Sequence, residues 1–138
     1  MARQTFMMIK PDAVARNKIG EILGRVEAAG LTIGRLRMVH LAAAQAREFY
    51  KVHEGKPFLD GLCAFMSSGP IVALVVEGDG AIEKLAAIVG ATDPKKAAPG
   101  TIRADIGLDI EKNSVHRSDA PETAAAEIAF FGLGLSLR

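Results

Sequence analysis

The stretch that most constrains this chain is Ile71-Val72-Ala73-Leu74-Val75-Val76, six apolar residues in a row opened by Gly69-Pro70. Four of them are β-branched, and such a run between turn residues reads as a strand. A second apolar run, Thr5 to Ile9, is cut off by Lys10-Pro11-Asp12 and reads as another buried strand, with Asp12 placed to cap the next element. Ile19, Ile22, Leu23 and Val26 recur at helical spacing, and Gly30 supplies a stop. Leu31 to Leu41 alternates imperfectly and reads as a strand. Ala42–Val52, Phe58–Met66 and Ala81–Val89 read as helices. A short strand is expected near Ser114-Val115-His116. Asp119 with Glu122 three residues on resembles a capping box for a last helix, in which Ala124, Ile128 and Phe131 share a face.

This order of elements points to an α+β sandwich: a ferredoxin-like βαββαβ core, with helices covering a four-stranded antiparallel sheet. The 138 residues suit one domain over 1–138. A formal net charge of +1 gives no bulk attraction for nucleic acid, so no specific nucleic-acid partner is expected. One cysteine, Cys63, allows neither an intrachain disulfide nor a cysteine-based zinc site. The apolar stretch near the start is too short for a signal peptide, and no run approaches a membrane span. The expected setting is the cytoplasm, with no membrane partner.

Chemistry has few places to sit. There is no Walker A loop, GxGxxG, HExxH or GxSxG pattern, so any phosphate must be handled by side chains. The irregular stretch from Gly90 to Arg103 holds two prolines, two glycines and three cations, and long loops of this kind often carry function. Lys10, Thr92 and Arg103 are phosphate candidates, although each cation taken alone also reads as a solvated surface charge. His116 has three readings. No spacing to His40 or His53 supports a metal ligand. It can be a structural histidine at a strand end, or a nucleophile or base oriented by Glu127, eleven residues on. Glu127 can equally lie on an exposed helix face. Tyr50, Phe58 and Leu62 fit packing as well as ligand contact, and a flat ring beside a pocket would serve as a base-stacking platform.

The segments TFMMIKPDA from Thr5, FYKVHEGKPFLDGL from Phe49, MSSGPIVALVVEG from Met66, GATDPKKAAPGTIRAD from Gly90 and NSVHRSD from Asn113 occur in this order. Together they resemble nucleoside diphosphate kinase over nearly the whole chain. The resemblance implies transfer of the γ-phosphate of a nucleoside triphosphate, usually ATP, to a nucleoside diphosphate. It implies a ping-pong scheme through phosphohistidine on His116, with Glu127 orienting the ring and Tyr50 nearby. It places Lys10 on the phosphates and the sugar hydroxyl, Thr92 and Arg103 on phosphate oxygens, and Asn113 on the ribose. Phe58 and Ile110 would sandwich the base, with Leu62 beside Phe58, and Ser118 and Asp119 would support the histidine. Mg2+ would arrive with the nucleotide, with no protein metal ligands. The family's assemblies imply a homo-oligomer, a tetramer or hexamer, with the terminal GLGLSLR segment available to pack on a neighbour.

Two positions depart from the family's pattern. Where an arginine is usual four residues before the glycine of GAT, this chain has Ala86, and Lys84 lies about 200° round the helix from that position. Where glycine usually follows the nucleophile, it has Arg117. The pair allows two readings: Arg117 restores a cation near the phosphates, or it points to solvent or a neighbouring subunit. Ala86 also leaves room for a nucleotide-binding module without turnover.

Overall fold

The computed structural model describes residues 3–134. The two apolar runs form β1 (Gln4–Ile9) and β3 (Ile71–Glu77), which pair antiparallel at the centre of the sheet. Their apolar residues are buried on both faces because helices cover the sheet from both sides. β2 (Thr32–Val39) and β4 (Val115–Arg117) form the edges, giving the antiparallel order β2-β3-β1-β4. This is the ferredoxin-like arrangement expected from the order of elements. The imperfect alternation of β2 has a physical cause. Its register with β3 shifts between Ile33 and Leu36, so the two ends of the strand do not share one period.

One face of the sheet carries α1 (Pro11–Ala15), α2 (Ile19–Ala28), α5 (Ala81–Val89) and α6 (Ile102–Ile106), whose Ala13, Ile22, Val26, Leu85, Val89 and Ile102 pack on Met7, Ile9, Leu74 and Val115. The other face carries α3 (Ala43–Phe49), α4 (Leu59–Met66) and α7 (Pro121–Phe130), packed on Phe6, Met8, Ala73 and Val75. Ala124, Ile128 and Phe131 are all buried along α7, as their spacing predicted.

Both helix starts differ from expectation. Asp12 is not a cap: Lys10 is the N-cap of α1, and Asp12 lies inside the first turn, buried. Asp119 is not the cap of α7 either. Pro121 occupies the first helical position, Ala120 precedes it, and the Ala120 amide donates to Thr123 Oγ1 at 3.1 Å. A proline's fixed φ sets the helix start one residue later than the polar pattern implied. The Gly90–Arg103 stretch is also less irregular than expected. It contains a 3-10 turn at Pro94–Lys96 and runs into α6, which Thr101 caps through its hydroxyl. Of the GLGLSLR segment, residues 135–138 lie outside the described residues.

Gly90 fixes how that stretch leaves α5. Its φ is 89°, and a Cβ there would sit 2.5 Å from Thr101 Oγ1 and 2.7 Å from Thr101 Cβ. Gly90→Ala is therefore expected to destabilise the fold by about 2–4 kcal/mol, read as a lower urea midpoint at unchanged slope.

Candidate active site

Strand parity sorts the residues around β4. Met8 lies opposite His116 and Met7 opposite Arg117, so these neighbours point to opposite faces of the sheet. His116 enters an aromatic surround, with the Phe49 ring 5.7 Å away, Phe6 6.0 Å and Tyr50 6.5 Å between centroids. α7 returns across this face and brings Glu127 to the imidazole. Nε2 lies 3.0 Å from Oε1 and 3.1 Å from Oε2 of that carboxylate. A carboxylate accepts, so Nε2 carries the proton and the lone pair is on Nδ1. Among the described residues Nδ1 has no hydrogen-bond partner. Ser118 Oγ donates to the same Glu127 oxygen. Burial pushes the Glu127 carboxyl up, but the His116 ring and the Ser118 hydroxyl outweigh it and hold the group below the usual range.

Tyr50 is buried, and among the described residues its hydroxyl has no partner. Burial and then the Glu127 charge push its phenol pKa up, so it stays a neutral donor. A buried hydroxyl left unpaired is uncommon in a folded protein and marks this position beside the histidine.

Lys10 and Arg103 are not solvated surface charges: they are 7% and 6% exposed. Lys10 sits at the end of β1, where Pro11 turns the chain. Its Nζ donates to Asn113 Oδ1 at 2.9 Å and to the Glu111 carbonyl at 3.3 Å. Burial, with the charge of Arg103 second, pulls its pKa down to about 8. Arg103, on α6, donates to the Gly90 carbonyl at 3.2 Å and the Val115 carbonyl at 2.7 Å, and its buried Nε has no partner among the described residues. Burial and then the charge of Arg117 lower its pKa to about 10. Asn113 Nδ2 donates to the carbonyls of Thr92 and Ile110, tying the loop after α5 to the turn before β4. Thr92 is exposed, as are Phe58 at 48% and Ile110 at 64%, while Leu62 packs half-buried on the core. Ala86 lies half-buried on α5, and Lys84 is exposed.

A second network, built on Asp12, Arg16 and Ser114, escaped the sequence reading. Ser114 has φ +76°, a conformation that costs a non-glycine residue roughly 1–3 kcal/mol. Its hydroxyl donates to Asp12 Oδ2 at 2.9 Å, and its carbonyl accepts from the Lys10 amide at 2.8 Å. Arg16 Nη2 reaches Asp12 Oδ2, Ser114 Oγ and the Ile106 carbonyl. The strained turn that delivers His116 is thus clamped from α1 and α6. The i,i+4 spacing of Asp12 and Arg16 was the one available signal.

A histidine held through one nitrogen, with its other nitrogen free and buried cations near its strand, is an arrangement suited to a nucleophile or base acting on an anionic substrate, on an α+β fold. The family model for nucleoside diphosphate kinase matches residues 3–132. A nucleoside diphosphate kinase of Leptothrix cholodnii is 55% identical over 97% of this chain and 95% of its own length. One of Desulfatibacillum aliphaticivorans is 58% identical over 93% of each chain. The Aquifex aeolicus enzyme superposes with a TM-score of 0.93 at 43% identity, covering 99% of both chains. A halophilic enzyme of Halobacterium salinarum, solved in complex with CDP, gives 0.90 at 43% identity, over 95% of this chain and 88% of that one. The chain belongs to the nucleoside diphosphate kinase family and is a nucleotide-handling kinase. Among the described residues no helix is long and apolar enough to cross a membrane.

Proposed function

We propose that residues 1–138 act as one unit that moves a γ-phosphoryl group between nucleotides by way of His116. The observation that carries this is the pair of 3.0 and 3.1 Å contacts fixing His116 Nε2 on Glu127, which leaves Nδ1 as the nucleophile. The Nδ1 lone pair attacks the γ-phosphorus of a nucleoside triphosphate, usually ATP. The bond to the bridging oxygen breaks, and the nucleoside diphosphate leaves with that electron pair. Glu127 balances the positive charge that forms on the ring. A second nucleoside diphosphate then attacks the same phosphorus through its terminal oxygen, and the N–P bond breaks.

Each neighbour has a task. Lys10 and Arg103 neutralise phosphate charge, and burial makes each worth more than a surface cation. Thr92 binds a phosphate oxygen, and the Tyr50 hydroxyl donates beside the ring. Asn113 meets the ribose, and Lys10 also reaches the sugar 3′-hydroxyl. Phe58 and Ile110 are exposed, and we assign them to hold the base between them, with Leu62 beside Phe58. Stacking uses no base-edge hydrogen bonds, so base preference is broad. Ser118 holds Glu127, and Asp119 holds Arg117. This cationic surround is the wrong donor set for a resident metal, so Mg2+ enters as part of the nucleotide substrate.

We place the chain in the cytoplasm on the strength of its lone, buried, free Cys63. We expect a homo-oligomer, a tetramer or hexamer. The edge strand β2 exposes Leu36 at 45% and Met38 at 60%, apolar surface that a second copy would cover.

The test is label transfer. Incubation with ATP labelled at the γ-phosphate should give an acid-labile, alkali-stable phosphoprotein, which unlabelled nucleoside diphosphate then discharges. Well-folded protein that takes no label would rule the scheme out.

A further inference from the structure

We propose that Arg117 is a second phosphate-binding guanidinium beside Arg103, reaching the nucleotide's phosphate chain from the strand side. The inference rests on the reading of His116 as phosphate carrier, because that reading brings a phosphate chain to this edge of the sheet.

Three observations converge. The first is direction. Arg117 shares its sheet face with Met7 and Val115, and that face is covered by α5 and α6. α5 packs against β4. It sends Leu85 and Val89 into the core and keeps half-buried Ala86 beside them. Ala86 carries no charge, so any cation on this side of the site comes from α6 or from the strand.

The second is company. Arg103 arrives on the same face from α6 and bonds the Val115 carbonyl, two residues before Arg117. The two guanidinium charges are close enough that Arg117 is, after burial, the main reason the Arg103 pKa falls. Like charges held together are costly until an anion joins them, and a phosphate with oxygens for both forks does so.

The third is an unmet donor. The Arg117 side chain is only 24% exposed, so it does not stream into solvent. Its Nη1 reaches Asp119 Oδ1 at 3.0 Å and the Ser118 carbonyl at 3.4 Å, while its buried Nε has no partner among the described residues. Arg103 Nε is in the same condition. Asp119 is a weak rival for the charge, with its side chain 85% exposed.

The test compares two probes on the full chain by calorimetry: ADP, which carries the phosphates, and adenosine, which does not. Arg117→Ala should weaken ADP binding by about ten- to a hundredfold and leave adenosine within about twofold. Arg117→Lys, which keeps the stem and charge but loses the fork, should fall between parent and Arg117→Ala for ADP. Adding Ala86→Arg to Arg117→Ala should restore most of the ADP affinity. ADP binding unchanged in Arg117→Ala would overturn the proposal, as would equal losses for ADP and adenosine, which signal a structural role. Should Arg117→Ala not fold, Arg117→Lys decides alone by the same ADP-to-adenosine ratio. These are equilibrium measurements that need no phosphohistidine, so their failure is distinct from a failure to take label.

Discussion

His116→Ala is expected to abolish the phosphoprotein and lower turnover by on the order of 10^4 or more, while ADP still binds within about threefold of the parent. The size of the loss comes from the scheme. A two-step transfer has no route without the group that carries the phosphate, and the remaining residues only bind and neutralise. The preserved affinity comes from the layout. Lys10 bonds Asn113 and Glu111, and Arg103 bonds Gly90 and Val115 through their backbone carbonyls, so neither leans on the imidazole. Glu127 loses its ring donor but keeps Ser118 Oγ. Losing one partner of a half-buried carboxylate costs about 1–3 kcal/mol, a shift in midpoint and not a collapse. The measurements are label incorporation, steady-state turnover and ADP calorimetry on one preparation. A His116→Ala protein that turned over at a hundredth of the parent rate would sink the covalent scheme.

What the sequence discloses and what it withholds divide along a physical line. Local pattern names the central strands, because Ile71–Val76 and Thr5–Ile9 are apolar without interruption. It also names α7's buried face through Ala124, Ile128 and Phe131. It fails where a tertiary partner decides. Lys10 and Arg103 look like ordinary surface cations until Asn113, Gly90 and Val115 supply acceptors from distant parts of the chain. Asp12 looks like a cap until Ser114 and Arg16 draw it inward. The contact between His116 and Glu127 depends on α7 crossing back over the sheet, and spacing alone left it open. Resemblance, carried by several motifs in order, supplied the family where periodicity could not.

Lys10 should make stability and activity respond to pH in opposite directions. Its pKa is lowered from an ordinary 10.5 to about 8, first by burial and then by the charge of Arg103. Between about pH 8 and 10.5 the unfolded chain therefore holds a proton on Lys10 that the folded chain has released. The unfolded state binds more protons in that window, so the Lys10 contribution to stability rises with pH across it. Catalysis runs the other way. Free enzyme that has lost the Lys10 charge neutralises phosphate less well, so kcat/KM should fall as pH climbs through about 8. Lys10→Met keeps the stem and removes the titrating group. It should lower kcat/KM by about a hundredfold at neutral pH, the scale of a lost charge-assisted phosphate contact. Its unfolding free energy should stay close to the parent's at pH 7, because relief of a buried charge offsets the loss of a partner for Asn113 Oδ1. The decisive comparison is the difference in unfolding free energy between parent and Lys10→Met from pH 7 to 10. It should move in the parent's favour above about pH 8. A flat difference, together with a kcat/KM profile that ignores this range, would mean that Lys10 titrates as an ordinary exposed lysine.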